Sequence, residues 1–355
     1  MGSAAVYHLS KRGARVLGLD RFHPPHTLGS SHGQTRIIRE AYFEHPAYVP
    51  LVQRSYQLWR ELAQEAGAQL FLQTGGLMIG PPQGAVAGGA RLSAETHQLP
   101  FEALTADQIH KRFPALRPAE DMVGILEPCA GILFPEKCVA AHLNQARGGQ
   151  LNYDEQVLDW KADATGVRVT TNKDTYACSQ VVFSVGSWLK QLVPALPLVV
   201  ERQVLFWFSS SRPDLFRPDK CPIHLWEHSP GRYFYGFPNL GNGVKLAGHH
   251  EGEIVDPDKI NRSVPQAEID GMLQLIAPYL PAVTVPCLES VVCMYTNTPD
   301  GHFLIDRHPE HRQVLLVSPC SGHGFKFSSA IGQVVADLLL KGQSTFDLSL
   351  FRFRW

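Results

Sequence analysis

Apolar and polar positions change period several times along the chain, and each change marks an element. Residues 1–20, "MGSAAVYHLSKRGARVLGLD", hold a helix pattern, a basic "KRG" turn and an apolar run that ends on Asp20. Residues 48–66 place Leu51, Leu58 and Leu62 near helical spacing, which predicts an amphipathic helix. "TGGLMIGPP" predicts a short strand between turns, and the Gly/Ala/Pro-rich stretch 80–90 a loose surface connection. Residues 131–149 read as a turn followed by a helix, and "GVRVTT" and "YACSQVVFSVG" as strands. Aromatic strands dominate 202–250, and a helix is expected at 266–277. The end, "QVLLVSPCSGHGFKFSSAIGQVVADLLLKG", returns to strand, glycine loop and helix. Nucleotide-type βα units at both ends, with strand-rich segments between them, predict an α/β protein of two discontinuous domains.

Composition removes several classes. The chain has 355 residues, 44% hydrophobic and 18% charged, with a formal net charge of -1. That is enough chain for a substantial core, and the balanced charge gives no footprint for nucleic acid or an anionic membrane. No apolar run approaches the roughly 18 residues of a membrane helix. Seven cysteines without a C-x-x-C pair argue against a zinc ribbon or a disulfide framework, so no metal site is expected.

Three stretches carry candidate chemistry. In a G-x-G-x-x-G turn the third glycine lets the helix pack close to the first strand, and an acidic residue about 20 positions on binds ribose hydroxyls. Gly2 and Asp20 have that spacing, with the first two glycines falling before Met1; the other reading makes Gly2 incidental and Asp20 a surface carboxylate. In "SGHGFKFSS" a strand runs into Gly322-His323-Gly324, and a helix capped by Ser328 or Ser329 is expected to begin there, offering N–H groups to an anion. Lys326, between two phenylalanines, needs a partner. In "GQTRIIREAY" Arg36 and Arg39 flank two isoleucines; each calls for an anion, either a structural carboxylate or a ligand.

"SSHGQTRIIREAY", "YFYGFP", "GVKLAGHHEG", "VVCMYTNTPDGHFLIDRHPEH" and "SGHGFKFSS" occur in one order along essentially the whole chain. Together they resemble the monomeric sarcosine oxidase family, which includes N-methyltryptophan oxidase and the peroxisomal sarcosine/pipecolate oxidases. The resemblance implies an FAD enzyme that oxidises the C–N bond of secondary amino acids to an imine and reduces O2 to H2O2. It implies a Rossmann-like FAD-binding domain (1–68, 132–200 and 290–355) interleaved with a mixed-sheet α+β substrate domain (69–131 and 201–289).

Roles carry over residue by residue. Cys293 matches the covalent flavin attachment site, with Cys320 as its rival beside the glycine loop. Lys245 matches the oxygen-activating lysine, although alternation with Val244 and Leu246 also permits a solvated strand lysine. Arg39 and Lys326 match the clamp on the substrate carboxylate, Arg36 an arginine near the flavin, and His249 and Tyr235 residues near the amine. Gly2, Asp20, Gly322, His323, Gly324 and Lys326 are expected along the cofactor. A small secondary amino acid and O2 are the expected partners, a monomer is expected, and a cytoplasmic location is expected because "FRFRW" lacks a peroxisomal address. Within the family an N-methyltryptophan- or pipecolate-type activity stays open, and outside it a non-catalytic remnant. The strand and paired glycines expected before Met1 are missing, so flavin content is expected to be substoichiometric unless such a strand is supplied.

Overall fold

The computed structural model describes residues 1–354. Helix α1 (Gly2–Lys11) buries Ala4, Ala5, Val6 and Leu9 and leads into β1 (Leu17–Leu19), with Asp20 directly after it. After β2 (Arg36–Ile38) comes α2 (Val49–Ala66), whose buried face includes Leu51, Leu58 and Leu62 as its spacing predicts. Gly67, at φ 58°, closes it with a left-handed cap. Strands β3 (Phe71–Gln73) and β4 (Gly76–Gly80) follow.

Residues 80–90 are not a loose connection. Helix α3 (Ala85–Thr96) starts within them and buries Val86, Ala87, Ala90 and Ala94. Its Gly89 packs so close to the chain at Phe43 that a Cβ would lie 2.7 Å from the Phe43 carbonyl oxygen. The glycine serves a close approach rather than a turn.

Next come β5 (Glu102–Thr105), α4 (Ala106–Arg112), β6 (Val123–Glu127), β7 (Gly131–Leu133) and α5 (Pro135–Gln145). Strand β8 (Gln150–Asn152) pairs in parallel with β1. A meander, β9 (Val157–Asp163), β10 (Gly166–Thr171) and β11 (Thr175–Cys178), precedes β12 (Val181–Phe183) and the short α6 (Leu189–Leu192).

The second half supplies the long strands β13 (Val199–Ser210), β14 (Ile223–Ser229), β15 (Arg232–Phe237) and β16 (Val244–His249), then α7 (Gln266–Ile276) and β17 (Val283–Asn297). Strands β18 (Leu304–Arg307) and β19 (Val314–Ser318) lead through the glycine loop to α8 (Ser328–Leu340). Neither serine caps α8: Ser328 is its first residue, and the Ser329 hydroxyl donates to the Ser55 carbonyl of α2. Among the described residues, no helix is long and apolar enough to cross a membrane.

Eight strands form one sheet in the order β17-β13-β16-β15-β14-β4-β6-β5, antiparallel except where β14 meets β4. The period-2 alternation of strand side chains gives this sheet two distinct faces. Phe206, Phe208, Trp226, Phe234 and Leu246 pack on one face with Met272 and Ile276 of α7. Leu205, Trp207, Ala247 and Cys293 form a separate cluster on the other. Lys245 and His249 share the parity of Ala247, and Tyr235 pairs with Ala247 across the ladder, so all three belong to that second face. The smaller sheets β1-β8 and β12-β19-β18 lie apart, and among the described residues one edge of β1 and one of β12 has no strand partner.

Candidate active site

A cavity of about 1190 Å³ runs from the start of α1 and the end of β1 to the second face of the large sheet. One end is lined by Met1, Gly2, Ser3 and Asp20, the other by Arg36, Arg39, Tyr235, His249 and Cys293, with Gly322–Lys326 between them. The structure therefore brings nearly every sequence-predicted site residue to one space. Lys245 stands just behind its wall, its Nζ in reach of Gly33 and Thr35.

Lys245 is buried, not solvated: it is 2% exposed, and Nζ lies 5.1 Å from the Trp207 ring and 4.8 Å from that of Phe237. It donates to Gly33 O at 2.6 Å, Thr35 O at 3.0 Å and Thr35 Oγ1 at 2.8 Å. Burial, and then the Arg36 guanidinium, push its pKa well below the usual lysine range. Arg36 donates to the carbonyls of Ser30 at 2.7 Å and Thr35 at 2.8 Å and reaches Cys293 Sγ at 3.5 Å. Cys293 thus faces the cavity with the Arg36 guanidinium beside its sulfur. Cys320 also lines the cavity, but its sulfur accepts the Thr296 N–H at 3.3 Å and burial raises its pKa.

A second cationic group surrounds Tyr42. The Arg39 guanidinium lies 4.2 Å from the Tyr42 ring centre, and Lys326 Nζ 5.1 Å from it. Arg39 already has a carboxylate partner, Glu44 at 2.5 Å. Burial, the largest single influence, works against ionising Glu44, but Arg39, His323 and Lys326 together outweigh it and hold the carboxyl below its ordinary range. Lys326 donates to His323 O at 2.6 Å and Tyr42 Oη at 3.3 Å, and its pKa is lowered to about 7 by burial and by Arg39. His323 Nδ1 lies 2.6 Å from Tyr42 Oη, and burial lowers its pKa to about 4. His249 Nδ1 lies 3.1 Å from Tyr295 Oη, and burial, then His250, keep the imidazole neutral. Among the described residues, none of Arg36, Lys245 and Lys326 has a carboxylate within ion-pair distance.

At the far end, α1 begins at the cavity with no acidic side chain in its first turn. Uncapped helix N-termini attract phosphate. Asp20 Oδ1 accepts the Phe22 N–H at 2.9 Å, which fixes the carboxylate at the end of β1. At Gly2 a Cβ would meet only Ser184 Oγ, at 3.1 Å. The tight helix packing is instead at Gly332 of α8, where a Cβ would lie 2.6 Å from the Ala4 backbone. Gly324 is equally constrained, since a Cβ there would lie 1.7 Å from Pro319 O. A long cavity with a helix N-terminus and a carboxylate at one end and buried cations at the other fits a flavin dinucleotide.

Sequence reasoning passed over His32, Tyr42, Glu44 and Tyr295. Signals existed for the last three: Tyr42 and Glu44 follow Arg39 within five residues, and Tyr295 shares the strand parity of Cys293. His32 is fully buried with neither ring nitrogen hydrogen-bonded, and burial lowers its pKa to about 3.

The comparisons with known proteins agree with this geometry. A family model described as FAD dependent oxidoreductase matches residues 1–338. The monomeric sarcosine oxidase of Streptomyces avermitilis is 43% identical over 99% of this chain and 94% of the relative. The N-methyl-L-tryptophan oxidase of Salmonella dublin is 34% identical over 99% and 95%. Among solved structures, NikD, an amino acid oxidase of nikkomycin biosynthesis, superposes with a TM-score of 0.84 at 23% identity, over 99% of this chain and 94% of that one. The L-proline dehydrogenase of P. horikoshii gives 0.84 at 20% identity, over 99% and 93%. The chain belongs to the FAD dependent oxidoreductase family, and within it to the flavin-dependent amine oxidoreductases related to monomeric sarcosine oxidase.

Proposed function

We propose that the protein is an FAD-dependent oxidase of N-methyl or cyclic secondary α-amino acids, acting as a monomer in the cytoplasm. The observation that carries this reading is the set of buried cations on one cavity wall, of which only Arg39 has a carboxylate partner. Bound FAD, attached through Cys293, supplies the two-electron acceptor. Segments 1–68, 132–200 and 290–355 hold it, with Asp20 at the ribose, the start of α1 at the pyrophosphate, and Arg36 and the Gly322–Lys326 loop along its length.

Arg39 and Lys326 grip the substrate carboxylate, which displaces Glu44 as the partner of Arg39. Two cations on one carboxylate fix the Cα–N bond in place before reaction. His249 and Tyr235 stand by the amine, and a neutral imidazole leaves the amine uncharged and oxidisable. Loss of two electrons and two protons gives an imine, which water cleaves to the amino acid and an aldehyde. O2 takes up the same two electrons and two protons as H2O2. Lys245 is a fixed cation where negative charge develops on oxygen, an effect often worth about 3 kcal/mol.

A substrate panel tests the reading: sarcosine, N-methyltryptophan, pipecolate, proline and dimethylglycine, assayed by peroxide release. Sarcosine is expected to give one peroxide per glycine formed. Turnover without peroxide, or a KM for sarcosine unmoved in Arg39→Ala, rejects the oxidase or the clamp respectively.

A further inference from the structure

The two carbonyls that hold Lys245 belong to a single unusual turn. Thr35 N–H donates to Gly33 O at 2.8 Å, with Gln34 between them at φ 69°. This pairing across a positive-φ centre is the rare γ-turn, strained for any residue with a Cβ. Gly33 stands at φ +91°, and a Cβ there would lie 2.5 Å from Leu205 Cδ1 and 3.7 Å from Lys245 Nζ. The positive φ and the close approach of Leu205 therefore call for glycine at this position, beside the ammonium.

Such strain persists when the surroundings over-determine it. Gln34 N–H donates to Glu136 Oε1 at 3.0 Å, Gln34 Nε2 to Glu289 Oε2 at 3.3 Å, and Asn242 Nδ2 to Gln34 Oε1 at 2.5 Å. The three partners come from α5, β17 and the loop before β16, so separate parts of the fold converge on one glutamine.

We propose that Gly33–Gln34–Thr35 is a strained clip that fixes the Lys245 ammonium in its working position, and that Glu136, Asn242 and Glu289 are positioning residues that keep it closed. This rests on the reading of Lys245 as the oxygen-side cation. Gly33 O, Thr35 O and Thr35 Oγ1 favour the charged form of a lysine whose burial disfavours it. The other charged or titratable groups around it are Arg36, His32, Cys293, Glu136 and Glu289. Opening the clip removes acceptors and leaves Lys245 easier to deprotonate.

The test uses the holoenzyme with Glu136→Ala, Glu136→Gln, Asn242→Ala and Lys245→Met. In Glu136→Ala and Asn242→Ala, anaerobic reduction by sarcosine is expected within about twofold of the parent, while reoxidation by O2 slows by about tenfold or more. The high-pH decline of reoxidation moves to lower pH, and amide exchange across residues 30–40 becomes faster. Glu136→Gln keeps an acceptor for the Gln34 N–H and restores rate and exchange, while the pH limb recovers only in part because the Glu136 charge that favours protonated Lys245 is gone. If Glu136→Gln is as slow as Glu136→Ala, the carboxylate acts by charge and the clip is wrong. It is equally wrong if Lys245→Met slows reoxidation while Glu136→Ala and Asn242→Ala change nothing. Normal reoxidation in Lys245→Met removes the underlying role of Lys245 instead.

Discussion

Cys293 and Lys326 show how much a single position takes from its neighbours. Cys293 is one of seven cysteines and looks in isolation like any buried thiol; the Arg36 guanidinium 3.5 Å away distinguishes it. Cys293→Ser is expected to release the flavin on acid precipitation, while Cys320→Ser retains it; colour kept by the first variant and lost from the second moves the linkage. Lys326 titrates near neutrality because burial, then Arg39, outweigh the attraction of Glu44. Acetate has no amine to titrate, so its dissociation constant should rise as pH passes upward through about 7 and Lys326 loses its charge. A flat profile in the parent, or one unchanged in Lys326→Met, excludes that lysine from the clamp. The sign for stability is opposite. The unfolded chain holds the Lys326 proton up to 10.5 and the folded one only to about 7, so this residue makes unfolding harder as pH rises between those values. Residue types and their order were legible in the sequence, whereas Glu44 as the partner of Arg39 was not, because the pair closes only when the chain turns after β2.

Elements were legible where side-chain period decides them and illegible where packing does. The spacing of Leu51, Leu58 and Leu62 announces α2, and alternation along β13 and β16 sorts site residues from core. In α3 the glycines and alanines read as loop, yet burial of Val86, Ala87, Ala90 and Ala94 overrides weak propensity, and Gly89 admits the segment that follows Arg39. That segment is also held from below. Glu127, at the end of β6 and 1% exposed, accepts the backbone N–H groups of Glu40 and Ala41, each at 2.6 Å. Glu127→Ala leaves one buried and one part-buried donor without a partner and is expected to cost about 2 kcal/mol in chemical denaturation. Because the loosened residues adjoin Arg39, KM for carboxylate substrates should rise more than the limiting rate falls. Equal stability in the variant makes the contact incidental.

For the whole molecule, the cavity is lined by separate sheets that have no strand in common. Leu17 and Leu19 of β1 and Val182 and Phe183 of β12 line it from the small sheets, and Leu205 and Cys293 from the large one. A ligand that fills it completes the packing of both and binds the native chain alone, so it must stabilise the fold by mass action: about 2.7 kcal/mol at a concentration one hundred times its Kd. The proposed covalent attachment would hide this dependence, and Cys293→Ser would expose it. With the thioether removed, the melting temperature should rise with added FAD and keep rising beyond saturation of the visible flavin signal, since linkage continues after the site is full. FMN lacks the adenosine proposed to reach Asp20 and should give a smaller rise, which Asp20→Asn is expected to leave unchanged while reducing the rise with FAD. A melting temperature indifferent to FAD would mean that the cavity between the sheets is not where the dinucleotide binds.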